Sequence, residues 1–134
     1  MLPSRVDVHA IDTHVLVRLL TGDDPRQAAA AERFVGARGG WVSHVVLVET
    51  VWVLDSVYAR TREQIGAAIE QLLDHAALAV QDPELVTAAL AQFRRHKSAG
   101  FSDCVVLELA RKAGHLPLGT FDKGLSALDG AKRI

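Results

Sequence analysis

The sequence predicts an α/β protein: one domain over residues 1–134, with a central parallel sheet and helices on both faces. Three observations point there. Short apolar runs alternate with stretches at helical spacing along the whole chain, the pattern of strands joined by crossover helices. Cap residues and glycines punctuate the junctions between them. A length of 134 residues, 49% of them hydrophobic, suffices for a real core.

Val6, Val8, Ala10 and Ile11 form an apolar run that reads as a buried first strand. Asp12 stops it, and Val15, Leu16, Leu19 and Leu20 continue at helical spacing up to Gly22. Asp24, Pro25 and Gln27 predict the start of a second helix, with Gln27 completing a capping box. That helix carries Ala28 to Ala31, Phe34 and Val35, and stops at Gly39-Gly40. Trp41-Val42-Ser43 reads as a short buried strand. Residues 44–58 are apolar nearly all round, which predicts a largely buried helix with Glu49 in its middle.

Thr61 with Gln64 predicts a capping box ahead of Ile65, Ala68, Ile69, Leu72 and Leu73. Leu78-Ala79-Val80 is a strand, and Asp82-Pro83 opens the next helix, with Leu85, Val86, Ala89, Leu90 and Phe93 as its apolar stripe. A basic run, Arg94-Arg95-His96-Lys97, and Gly100 end it. Phe101-Ser102-Asp103 leads into a helix of Val105, Val106, Leu107, Leu109 and Ala110, closed by Gly114. Leu116 to Thr120 is a strand, Phe121-Asp122-Lys123-Gly124 follows, and a short helix around Leu125 and Leu128 precedes Lys132-Arg133-Ile134.

The net charge of −1 gives no bulk attraction for a polyanion, so such a partner needs local basic patches or metal ions. Cys104 is the single cysteine, which excludes an intrachain disulfide and fits a reduced, cytoplasmic setting. No signal-type or membrane-spanning run is present, so no membrane partner is expected. Aromatic residues, at 5%, are too few for a base-stacking platform. No repeat, low-complexity tract or Gly-rich phosphate loop occurs.

Four acids stand out by position. Asp12 follows the first strand, where open parallel sheets place ligands, although Asp is equally a favoured helix cap. Glu49 has Val45, Val46, Trp52 and Val53 as its helical neighbours, none able to pair with a carboxylate. It therefore opens onto a cleft, meets a distant cation, or sits on the rim of a partly exposed helix. Asp103 opens the helix after the basic run, as a site residue or an N-cap. Asp122 follows the Leu116–Thr120 strand, as a site residue or a turn residue. Strand ends in one parallel sheet share an edge, which would bring Asp12 and Asp122 to one side with Asp103 in reach. Such a cluster needs a cation, and oxygen-only ligands select Mg²⁺ or Mn²⁺. No His or Cys pair has zinc spacing.

Ile11-Asp12-Thr13 with Leu16, Val48-Glu49 before Val51-Trp52, Phe101-Ser102-Asp103, and Thr120-Phe121-Asp122 resemble, in order, the four acidic motifs of PIN domains. The resemblance runs through the whole chain, including the Thr21-Gly22-Asp23-Asp24-Pro25 turn, and is closest to VapC toxins of toxin–antitoxin pairs. It implies a Mg²⁺- or Mn²⁺-dependent endoribonuclease, a homodimer, and a cognate antitoxin protein through which alone DNA is contacted. By motif, Asp12, Glu49, Asp103 and Asp122 carry over as the acidic site. Asp12 and Asp103 are expected to ligate metal directly, Asp122 directly or through water, and Glu49 to serve a second ion or the attacking water. Thr120 is a further polar contact to that site. His14 stands where the family most often has Asn, and Cys104 where a small Ala is common. His14 can still donate a hydrogen bond beside the site, and Cys104 is expected to pack as a small residue. Arg18, Arg94, Arg95, His96 and Lys97 are candidates for RNA phosphates, the run 94–97 being also a favourable helix end. Two alternatives belong to other classes: a PIN-like module that binds RNA or assembles without activity, and a phospho-acceptor receiver domain. The receiver would carry paired acids after its first strand, but Asp12 lies between Ile11 and Thr13.

Overall fold

A computed structural model describes residues 8–134, which include seven helices and five strands. The chain forms two compact units, Met1–Gln81 and Asp82–Ile134. The first holds β1 (His9–Ala10), α1 (Thr13–Thr21), α2 (Pro25–Arg38), β2 (Gly40–Val42), α3 (His44–Ser56), α4 (Arg62–Asp74) and β3 (Leu78–Val80). Its strands pair in parallel in the order β1-β2-β3, with His9 opposite Gly40 and Gly40 opposite Leu78. Each step along this ladder is bridged by a pair of helices, the crossover that parallel strands require. Gly40 is buried where the layers close: a Cβ there would stand 3.1 Å from Leu78, 3.2 Å from Val35 and 3.3 Å from Ile11. Leu16 and Val17 of α1, Ala31 and Val35 of α2, and Ile65, Ile69 and Leu72 of α4 are buried.

The caps that local sequence predicts are formed. Asp24 accepts from the Gln27 N–H with Pro25 at the first helical position, and Thr61 and Gln64 make both bonds of a capping box. One reciprocal bond differs. The Gln27 side chain does not return to its cap but accepts from Arg18 at 2.7 Å, a charge-assisted bond that outweighs a neutral one.

Two readings of burial are corrected. Val6 and Asp7 lie outside the described residues. In the described part of the first strand His9 and Ala10 are exposed and only Ile11 is buried. Helix α3 is not largely buried either. Leu47, Thr50 and Leu54 form its one buried stripe, while Val45 is 67% and Trp52 65% exposed, with an exposed Glu49 between them. The spacing 47, 50, 54 is that of a single helical face, so α3 packs by that stripe alone despite its all-round apolar sequence.

The second unit holds α5 (Pro83–Arg95), α6 (Phe101–Ala113), β4 (Leu118–Thr120), α7 (Lys123–Ser126) and β5 (Ala131–Arg133). Helices α5 and α6 pack on each other as a hairpin. Leu85, Val86, Ala89, Leu90 and Phe93 are buried on α5, and Phe101, Cys104, Val105 and Leu107 on α6. The Phe93 and Phe101 rings meet edge-on at 5.9 Å. Strands β4 and β5 pair in parallel with Leu118 opposite Ala131, so the basic tail Lys132-Arg133 is a strand. The α/β class with parallel pairing therefore holds, but the strands hydrogen-bond as a three-stranded and a two-stranded sheet. Asp12 and Asp122 follow strands of different ladders, and the shared sheet edge on which the sequence reading joined them is not a single one.

Candidate active site

Asp12 ends β1 and caps α1. Its Oδ1 accepts the Val15 N–H at 3.1 Å. Its Oδ2 accepts no hydrogen bond among the described residues, and the side chain is exposed. Cap and site residue are therefore not alternatives here, because each role uses a different oxygen. The same division recurs at Asp122. There Oδ1 accepts from Gly124 N at 2.7 Å and Leu125 N at 3.2 Å, while Oδ2 accepts no hydrogen bond among the described residues and the residue is exposed. Thr120 Oγ1 accepts the Asp122 N–H at 3.0 Å and fixes the backbone from which that carboxylate projects.

Asp103 differs from both. Helix α6 is capped by Gly100 and has no side-chain cap bond, so Asp103, in its first turn, is not an N-cap. It is half-buried and has no hydrogen bond or ion pair among the described residues. A partly desolvated carboxylate without a partner is costly unless a cation or donor arrives, and the positive end of α6 meets only part of that need. Glu49 is likewise without a partner among the described residues. His14, the second residue of α1, is exposed, and Cys104 is fully buried in α6.

Each unit thus offers two carboxylates with unengaged oxygens, Asp12 and Glu49 in the first, Asp103 and Asp122 in the second. Within neither unit do three His, Cys, Asp or Glu side chains stand together as a metal-binding group among the described residues. The donor set still fits Mg²⁺ or Mn²⁺. Such hard ions take oxygen ligands, and Mg²⁺ commonly keeps several waters and uses only one or two carboxylates. It does not fit zinc, which wants His or Cys.

The candidate RNA-binding cations separate by their engagements. Arg18 is tied inward: Nε donates to Gln27, and one terminal nitrogen reaches Asp23 at 3.1 Å and the Tyr58 hydroxyl at 3.2 Å. Tyr58 in turn donates to Asp23, and Thr21 donates to Asp23 at 3.0 Å. This cluster joins the end of α1 to the residues just beyond α3, contacts that lie far apart in sequence and were not read from it. Arg94 and His96 also have partners, whereas Arg95 and Lys97 are exposed and unpaired among the described residues.

The Tyr58 hydroxyl, with help from Thr21 and the Arg18 charge, holds the Asp23 carboxyl below the usual carboxylate range. A depressed folded-state value stabilises above the unfolded value, about 4, and that stabilisation is lost as pH falls through the lower folded value. Asp23→Asn should therefore unfold at lower denaturant than the parent at pH 7, with the gap closing below about pH 4. A gap unchanged in acid would refute the cluster as the source.

The family model described as the PIN domain matches residues 10–131. No curated protein and no solved structure matches the chain.

Proposed function

The chain belongs to the PIN-domain family, and from that premise we propose that it is a Mg²⁺- or Mn²⁺-dependent endoribonuclease, the toxin of a VapC-type toxin–antitoxin pair. PIN domains are in general metal-dependent nucleases, and that membership takes the place of the receiver-domain alternative. The observation that carries the reading is chemical. All four motif acids are present, two with a spare oxygen and two with no partner among the described residues. In this reading Asp12 and Glu49 of the first unit and Asp103 and Asp122 of the second carry the acidic chemistry that their motifs imply.

Bound divalent metal would supply charge neutralisation at the leaving oxygen and an acidified water for in-line attack on phosphorus. The chain's own residues do the rest. The α1 and α7 N–H groups grip Oδ1 of Asp12 and Asp122, so that each Oδ2 is presented in a fixed direction. Asp103 contributes an unspent charge from the first turn of α6, and Glu49, exposed on its helix face, is suited to orienting water. Thr120 holds the Asp122 turn in place.

Partners follow from the same reading: RNA as substrate, a cognate antitoxin, a second copy of the chain, and DNA only through the antitoxin. Exposed Val45 and Trp52 on α3 support a protein partner, since apolar side chains grouped on a surface commonly mark interfaces. Among the described residues no helix is long and apolar enough to cross a membrane, and the proposed setting is the cytoplasm. The test is direct. Purified protein should cut RNA with Mg²⁺ or Mn²⁺, stop with EDTA, and run as a dimer by light scattering. Cutting that persists in EDTA would refute the metal, and a strict monomer would refute the self-association.

A further inference from the structure

The cations of the second unit divide sharply by what they already hold. Arg111 donates from Nε to Glu108 at 3.0 Å and from a terminal nitrogen to the Asp129 carbonyl at 2.8 Å. Lys112 pairs with Asp82. Arg94 is engaged as well. Arg95, Lys132 and Arg133 are exposed and have no partner among the described residues, and the same holds for Lys97 and Lys123.

These two lysines start from backbone segments that are locked together. Ser98 Oγ donates to the Gly124 carbonyl at 3.0 Å. A Cβ on residue 124 would collide with the Ser98 carbonyl group, so only glycine admits the approach. Lys97 directly precedes Ser98, and Lys123 directly precedes Gly124. The junction also adjoins Asp122. Asp122 Oδ1 binds the Gly124 N–H, and the same loop runs on through Gly100 to Asp103. Two lysines rooted on backbone segments that are locked together can converge on one bridging anion, which attracts both ammonium groups. The unit as a whole, residues 82–134, carries eight Lys and Arg against six Asp and Glu, while the chain in total is acidic.

We infer that Lys97 and Lys123, brought together by the Ser98–Gly124 contact, form a clamp for neighbouring phosphates of single-stranded RNA beside Asp122. This rests on the endoribonuclease reading. Lysines are flexible point charges, so the clamp fixes the backbone and reads no base. Neither the Lys123 contribution nor the junction was part of the basic run singled out in sequence, because Ser98 and Gly124 meet only in the fold.

The experiment measures binding of a single-stranded RNA oligonucleotide by fluorescence anisotropy, in EDTA so that no metal-dependent cutting occurs, over a range of KCl. Each of Lys97→Gln and Lys123→Gln should reduce the slope of log affinity against log salt by about 0.7, and the double variant by about 1.4. The loss should be similar for oligonucleotides of different sequence. Arg33→Gln, which removes an exposed charge from α2 in the other unit, should leave the slope unchanged. Parental slopes in both lysine variants, or an equal loss in Arg33→Gln, would overturn the clamp. A parallel cleavage assay with Mg²⁺ separates the two claims. Cleavage with unaltered slopes refutes the clamp and leaves the nuclease, while lowered slopes without any metal-dependent cleavage retain the clamp and refute the nuclease.

Discussion

Asp103→Asn is expected to abolish metal-dependent RNA cleavage and to leave the protein folded. Asp103 caps nothing and has no hydrogen bond or ion pair among the described residues, so the substitution removes a charge and little else. Mutating even an outer partner of a metal typically costs 10–100-fold. Loss of a direct carboxylate should cost more, at least about a hundredfold in rate. Asp12→Asn should behave alike for a different reason. Its Oδ1 caps α1, and Asn caps about as well as Asp, so the helix keeps its start while the spare anionic oxygen disappears. Rates measured on one RNA under Mg²⁺ and Mn²⁺, with circular dichroism of each variant, decide the matter. Undiminished cleavage by Asp103→Asn would remove that residue from the site.

The second large effect is on thermal stability. At Mg²⁺ near a hundred times its dissociation constant, a ligand of the folded state adds about 2.7 kcal/mol. For a domain of this size that is roughly 10 °C in melting temperature. The parent should show this shift, and Asp103→Asn should show almost none. In EDTA the two proteins should melt close together. The variant loses only a favourable charge in the first turn of α6, worth about 0.3–1 kcal/mol. Equal Mg²⁺ shifts in the two proteins would refute Asp103 as a ligand.

What could be read in the sequence is what is local. Helix starts at Asp24 and Thr61 follow from residues three apart, and both form. Asp12 and Asp122 stand at strand ends because the apolar run stops there, and the structure keeps them there. Burial of α3 could not be read in this way. An apolar residue records that it can be buried, not that something covers it, and Trp52 is left exposed. Arg18 failed as a free cation for a related reason. Its partners Tyr58 and Asp23 are set by how α1 and the end of α3 approach, which no spacing rule encodes. Strand pairing was legible in direction but not in extent. Parallel pairing follows from the helical crossovers, whereas the split into two ladders depends on which backbones meet.

The five-residue connection between α5 and α6 has a kinetic meaning. Bringing together ends separated by a short loop costs little chain entropy, whereas the β1–β2 pairing of His9 with Gly40 must close a far longer stretch first. Contacts local in sequence form early, and non-local parallel pairing forms late. The α5–α6 hairpin is therefore the natural nucleus of its unit, and its closing loop is the segment that carries Lys97, Ser98 and the approach to Asp103. Asp103 is thus carried by the part of its unit able to fold first.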